Sequence, residues 1–156
     1  MTWLLITSGL LMALLSGMFL AFSDFVMRGL VQAPKAEGSS GMVGLNRTVY
    51  RSIFMVLFMG FLPVTAGLVF MAFSQLSGPA FGMIIVGAVL YYAGVVGMTM
   101  LGNVPLNHKL DAMADDYTKR ADFWPEFAKR WTPMNHVRTA SSASAAAMWL
   151  FAANML

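Results

Sequence analysis

Two short stretches concentrate hydrogen-bonding side chains among apolar neighbours: Asn103-Val104-Pro105-Leu106-Asn107, and Trp131-Thr132-Pro133-Met134-Asn135-His136-Val137-Arg138-Thr139. In the second, Thr132-Pro133 reads as a helix cap followed by proline in the first turn. Asn135, Arg138, Thr139 and Ser142 then follow one another at i, i+3, i+4 and i+7 and share one polar face. A guanidinium on that face carries a permanent charge on a planar fork of donors, addressed either to lipid phosphate or to the interior of a bundle. His136 lies one residue on from Asn135, about 100° round the helix, and offers a base, a ligand or an interfacial imidazole. In the first stretch Asn103 and Asn107 flank Pro105, which interrupts the backbone ladder and frees carbonyls that amides can satisfy. Asp24 stands four residues before Arg28, the spacing of a helical ion pair, and is a further candidate because polar groups near a membrane helix are costly. The only other histidine is His108, and a metal site at His108 or His136, completed by Asp24 or Asp111, is a lesser alternative. No cysteine is present, which removes disulfide and thiolate chemistry, and no Gly-rich phosphate loop, nucleophile elbow or haem motif occurs.

The elements that must position these groups are membrane helices. Of 156 residues 58% are hydrophobic and only 11% charged, against roughly 25% charged in soluble domains. No Asp, Glu, Lys or Arg occurs from Met1 to Ser23, from Ser52 to His108 or from Thr139 to Leu156. About 20 apolar residues cross a bilayer, so the middle run is long enough for two crossings, broken at Ser74-Gln75-Leu76-Ser77-Gly78-Pro79. The expected fold is therefore an all-α four-helix transmembrane bundle in a single domain spanning 1–156, with helices near 2–24, 52–73, 80–102 and 134–155. The first is read as a retained helix, because its start lacks Lys and Arg and its apolar run exceeds the roughly 7 to 15 residues of a signal peptide. All ten Lys and Arg fall in 25–51 and 103–138, so the positive-inside rule makes loops 25–51 and 103–133 cytoplasmic and puts both termini outside, in a multi-pass protein of the cytoplasmic membrane. The formal net charge of +3 is explained by this bias and by anionic lipid, without nucleic acid.

Within the loops, Ala36-Glu37-Gly38-Ser39-Ser40-Gly41 reads as a flexible link. The 103–133 segment reads as an interfacial helical loop: a first helix capped by Asn107, then a second whose Phe123, Trp124, Phe127 and Trp131 lie on one side, suited to the headgroup plane. Small residues at Gly9, Ala13, Gly17 and Ala21, at Gly87, Gly94 and Gly97, and from Ala140 to Ala147 predict close helix approach. The 15 Met are read as packing rather than as a metal relay.

The N-V-P-x-N turn together with the W-x(3)-N-x-V-R-T entry resembles the anthrone oxygenase-like family of small four-helix integral membrane proteins, and Asn46 in a basic loop before the second helix fits the same layout. The resemblance implies a monooxygenase-type oxidoreductase that turns an apolar aromatic or quinol-like substrate over with molecular oxygen, with no cofactor expected. On that reading His136 or Asp24 is the base and Arg138 stabilises an enolate oxygen, while Asn103, Asn107, Asn135 and Trp131 contact the substrate. The partners are the lipid bilayer and an apolar aromatic small molecule, with a homo-oligomer or a larger membrane complex left open. The competing class is a non-catalytic membrane scaffold or accessory subunit, whose polar groups would satisfy one another around no cavity. A channel or transporter is disfavoured by the few polar groups at mid-membrane depth.

Overall fold

A computed structural model describes all residues, 1–156. The chain is all-α. Five helices follow in order: α1 (Thr2–Gln32), α2 (Lys35–Thr48), α3 (Ile53–Gln75), α4 (Gly78–Asp111) and α5 (Tyr117–Ala153). Helices α1, α3 and α4 are each long and apolar enough to cross a membrane. The turn between α3 and α4 falls at the predicted breaker, where Gly78 takes a positive φ of 73° and Pro79 opens the next helix.

Helix α5 packs against both α1 and α4. It runs antiparallel to α1, since the contacts climb one helix as they descend the other: Asn135 with Phe19, Thr139 with Ser16, and Leu150 with Gly9. It is antiparallel to α4 in the same way, through Trp131 with Asn103, Arg138 with Thr99, Ser141 with Gly94 and Trp149 with Ile84. Apolar side chains gain little by leaving lipid for a protein interior, so such a bundle is held by close packing and interhelical hydrogen bonds. Both are evident. The Trp149 indole lies where a Cβ on Gly87 would collide with it, and Phe61 packs at 5.9 Å against both Tyr91 and Trp149. The Tyr91 hydroxyl donates to the Phe58 carbonyl at 2.6 Å.

A second apolar cluster lies at the charged end. Met27, Met42, Leu110, Trp124, Phe127 and Trp131 enclose it, with Trp124, Phe127 and Trp131 stacked in series. The aromatic face expected to lie among lipid headgroups is thus buried in protein.

Several expected boundaries move, and each for a physical reason. The 103–133 segment is not a separate helical loop but the ends of α4 and α5, joined through residues 112–116. Pro105, Pro125 and Pro133 all lie inside helices, so neither does Asn107 cap a helix nor Thr132-Pro133 begin one. Tertiary packing outweighs the local break, and a π turn at Thr99–Asn103 absorbs the distortion just before Pro105. Asp24 and Arg28 are both exposed and form no ion pair, since a solvated pair gains too little to hold two side chains in one geometry. The link at 36–41 is helical in α2, docked so tightly that a Cβ on Gly38 would strike the Leu30 carbonyl. The α1 stripe divides: Gly9 abuts Leu150 and Ala146, whereas Gly17 and Ala13 are exposed. On α4 the close approaches are Gly87, Gly94 and Gly102, not Gly97.

Candidate functional site

Where the two apolar clusters meet, a cavity of about 390 Å³ opens among all five helices. That size lies within the ~300–1,000 Å³ of small-molecule sites. Most of its wall is apolar, with Phe19 and Phe22 from α1, Met42 from α2 and Phe54 and Met55 from α3. The polar part of the wall comes chiefly from α4 and α5: Thr99, Asn103 and Asn107 at four-residue intervals on one helix, and Trp131, Asn135 and Arg138 on the other.

Each of these side chains is held by its neighbours. Arg138, only 6% exposed, donates from Nη2 to Asn135 Oδ1 at 2.5 Å and from Nη1 to Thr99 Oγ1 at 3.4 Å. Its guanidinium carbon lies 4.6 Å from the Phe19 ring centre and 5.2 Å from that of Trp131, so two aromatic faces receive the charge. No carboxylate pairs with it; the ion pairs of the chain are Arg47–Asp111, Lys119–Asp116 and Arg130–Glu126. Asn135 is fully buried and its amide donates to the Phe19 carbonyl at 2.7 Å and to Ser23 Oγ at 2.5 Å. Ser23 belongs to the π turn of α1, which brings its hydroxyl to the bundle interior. Asn103 donates to the Trp131 carbonyl at 3.1 Å, and the Trp131 indole donates to Asn107 Oδ1 at 2.9 Å, so two turns of α4 clasp α5.

Three polar atoms of wall residues remain enclosed without any hydrogen-bond partner: Arg138 Nε, Asn103 Oδ1 and Asn46 Nδ2. Buried polar atoms are nearly always paired in folded proteins, and three of the five such orphans in the molecule, the other two being Thr65 Oγ1 and Trp124 Nε1, belong to residues lining this one cavity. The set comprises two donors and one acceptor, beside an uncompensated cation in an apolar surround. It can bind an oxyanion or a carbonyl oxygen and accept from a hydroxyl.

Of the seven site residues named from sequence, Asn103, Asn107, Trp131, Asn135 and Arg138 therefore converge on one cavity. His136 and Asp24 do not line it and are exposed. His108 is exposed as well, and no three His, Asp or Glu side chains cluster so as to hold a metal ion. Thr139 and Ser142 spend their hydroxyls on carbonyls of their own helix, so the polar face of α5 narrows at the cavity to Asn135 and Arg138. The sequence reading missed Thr99, Ser23 and the role of Asn46. Only Thr99 left a usable signal, by repeating four and eight residues later as Asn103 and Asn107.

Comparison with curated proteins and with solved structures gives no match. The family model for anthrone oxygenase, by contrast, matches residues 54–148, more than half of the chain and the part that carries Thr99, Asn103, Asn107, Trp131, Asn135 and Arg138. On that match the chain belongs to the anthrone oxygenase family.

Proposed function

We propose that the cavity binds a flat, apolar aromatic ketone or hydroquinone-like molecule, of which an anthrone is the type, and that the protein promotes its oxidation by molecular oxygen. The observation that carries this reading is Arg138: a buried guanidinium with no carboxylate, one unpartnered nitrogen and two aromatic neighbours, set in a mostly apolar cavity. A scaffold would have its polar groups mutually satisfied, and here five buried polar atoms are not, three of them on residues that line the cavity.

For an anthrone the overall change is one substrate plus one O2 giving one anthraquinone plus one water. The ring CH2 opposite the carbonyl loses a proton, and the negative charge moves to the carbonyl oxygen as an enolate. Electrons from the enolate reduce O2 as a C–O bond forms at that ring carbon; a proton then completes a hydroperoxide, which loses water to leave the second carbonyl. Arg138 stabilises the enolate oxygen by charge and by its free N–H, in a low-dielectric site where such donors are most effective. Asn103 Oδ1 orients the substrate by accepting from a ring hydroxyl. No carboxylate or imidazole lines the cavity, so in this reading the proton departs to water, the cation making the substrate more acidic, and oxygen reacts with the enolate directly.

We also infer that the second half of α5 is a fourth membrane crossing. It scores low in hydropathy because it is built of Ala and Ser, yet it is free of charge beyond Arg138 and matches α1 and α4 level for level. Four crossings leave both termini on one face, outside the cytoplasmic membrane by the charge rule, and the cavity near the cytoplasmic side.

The test is turnover by the purified chain in detergent, followed as anthrone loss, quinone formation and oxygen uptake. Arg138→Lys keeps a charge but loses the planar fork, and should slow oxidation by roughly 10² to 10³ with the bundle still folded. Unchanged rates in folded Arg138→Lys and Arg138→Ala protein would remove Arg138 from the chemistry.

A further inference from the structure

Asn46 is the one orphan of the cavity that lies outside both sequence motifs and outside residues 54–148. Its neighbours in α2 are already engaged. Arg47 reaches outward to Asp111 at 2.7 Å, and the Thr48 hydroxyl donates to the Gly44 carbonyl at 2.8 Å. Asn46 also lines the cavity, and its enclosed amide nitrogen has no hydrogen-bond partner.

The helix that presents it is fixed in place. Arg120, buried in α5, donates from Nε to Ser39 Oγ at 3.1 Å, from Nη2 to Ser40 Oγ at 2.5 Å and from Nη1 to the Ala114 carbonyl. Met42 and Val43, one turn before Asn46, are buried in the second apolar cluster. The position of Asn46 is therefore set by tertiary packing, and its amide donor is left there without an acceptor.

We infer that Asn46 is a substrate-binding residue that donates a hydrogen bond to a ring oxygen of the bound aromatic, so that α2 takes part in discriminating oxygenated polycycles from hydrocarbons of the same shape. The inference rests on the reading of the cavity as an aromatic site. Its chemistry requires an acceptor oxygen, a quinone or ketone carbonyl or an enolate, within reach of Asn46 while another oxygen meets Arg138.

Anthraquinone and anthracene separate the two ideas, because they share a ring frame and differ by two carbonyl oxygens. Binding of each to the full-length chain in detergent is measured by equilibrium dialysis, for wild type, Asn46→Ala and the near-isosteric Asn46→Leu. Wild type should bind anthraquinone more tightly than anthracene. Loss of the Asn46 N–H should weaken anthraquinone roughly tenfold, the effect of one hydrogen bond, and leave anthracene unchanged. Equal weakening of both ligands would make Asn46 a shape or folding residue, and unchanged affinity for both would leave it with no part in binding; either overturns the inference alone. Wild-type protein that binds neither ligand would instead overturn the aromatic reading of the cavity, and this inference with it. Asn46→Leu decides the matter if Asn46→Ala does not fold.

Discussion

At the scale of single residues, the cavity is shaped by how few of its polar atoms are left over. Asn135 satisfies the Phe19 carbonyl and the Ser23 hydroxyl with its amide and offers its oxygen to Arg138, so one side chain joins α1, α5 and the guanidinium. Asn135→Ala removes all three interactions and leaves the Arg138 Nη2 unpaired in a buried place. Unfolding in detergent should show a loss of about 2–3 kcal/mol, the cost of stranding a buried polar group. Little change in stability would mean that water readily replaces the amide. Removing His136 or Asp24 should behave otherwise, because both are exposed and off the cavity. His136→Ala and Asp24→Asn are expected to oxidise an anthrone within about twofold of wild type, where loss of a general base costs roughly 10² to 10⁴. A loss of that size in either would return the proton-accepting role to that residue.

At the scale of elements, α2 and the two ends of α5 matter most. Arg120 is the buried staple of α2, and Arg120→Ala should free that helix: hydrogen exchange over Lys35–Thr48 is expected to rise well above that of α3 and α4, and anthraquinone affinity to fall with it. The contrast between two glycines of α1 checks which face of that helix is packed. A Cβ on Gly9 would come within 2.6 Å of Leu150, whereas nothing lies within 4 Å of one on Gly17. Gly9→Val should therefore destabilise by about 1–3 kcal/mol through overpacking, while Gly17→Ala should be neutral or slightly stabilising. The start of α5 carries a pH dependence. Asp116 accepts from the Lys119 backbone N–H at 3.0 Å, and that bond, with the Lys119 side chain, holds its carboxyl below the usual range. Its folded pKa thus lies below its unfolded one. The cap is fully effective above the unfolded value of about 4 and is lost as pH falls through the folded value. NMR of the first turn of α5 should show fraying on acidification, and Asp116→Asn, which can still cap, should abolish that dependence.

At the scale of the whole molecule, every Lys and Arg other than the buried Arg138 gathers at one end of the bundle, together with α2 and the extensions of α4 and α5. The Arg47–Asp111 pair joins two of these extensions but is exposed, and is expected to add at most about 1 kcal/mol. What ties the end together is the second apolar cluster. Four crossings require that a reporter fused at Leu156 be active outside the membrane and one inserted near Gly38 inside. A cytoplasmic reporter signal at Leu156 would mean that α5 does not cross, and the depth assigned to Arg138 would have to be revised.

What the sequence determined by itself was whatever depends on local periodicity and on the incompatibility of charge with lipid: the all-α class, three apolar spans, the break at Ser77-Gly78-Pro79, the segregation of basic residues and the polar groups at 103–107 and 131–138. These follow from neighbours in the chain, and they suffice to identify the family motifs. The lengths of α4 and α5 did not follow, because Pro105, Pro125 and Pro133 are helix breakers by propensity and are overruled by packing and by a π turn. Nor did the order of α2, whose Gly and Ser residues favour a flexible chain until Leu30, Trp124 and Arg120 close around them. The site divides along the same line. Spacing along α4 and α5 could place side chains on faces, but a π turn in α1 decided that Ser23 meets Asn135 while Asp24 points away. Only the docking of α2 brought Asn46 to the same cavity as Arg138, because that meeting depends on contacts between residues far apart in the chain, which no local pattern encodes.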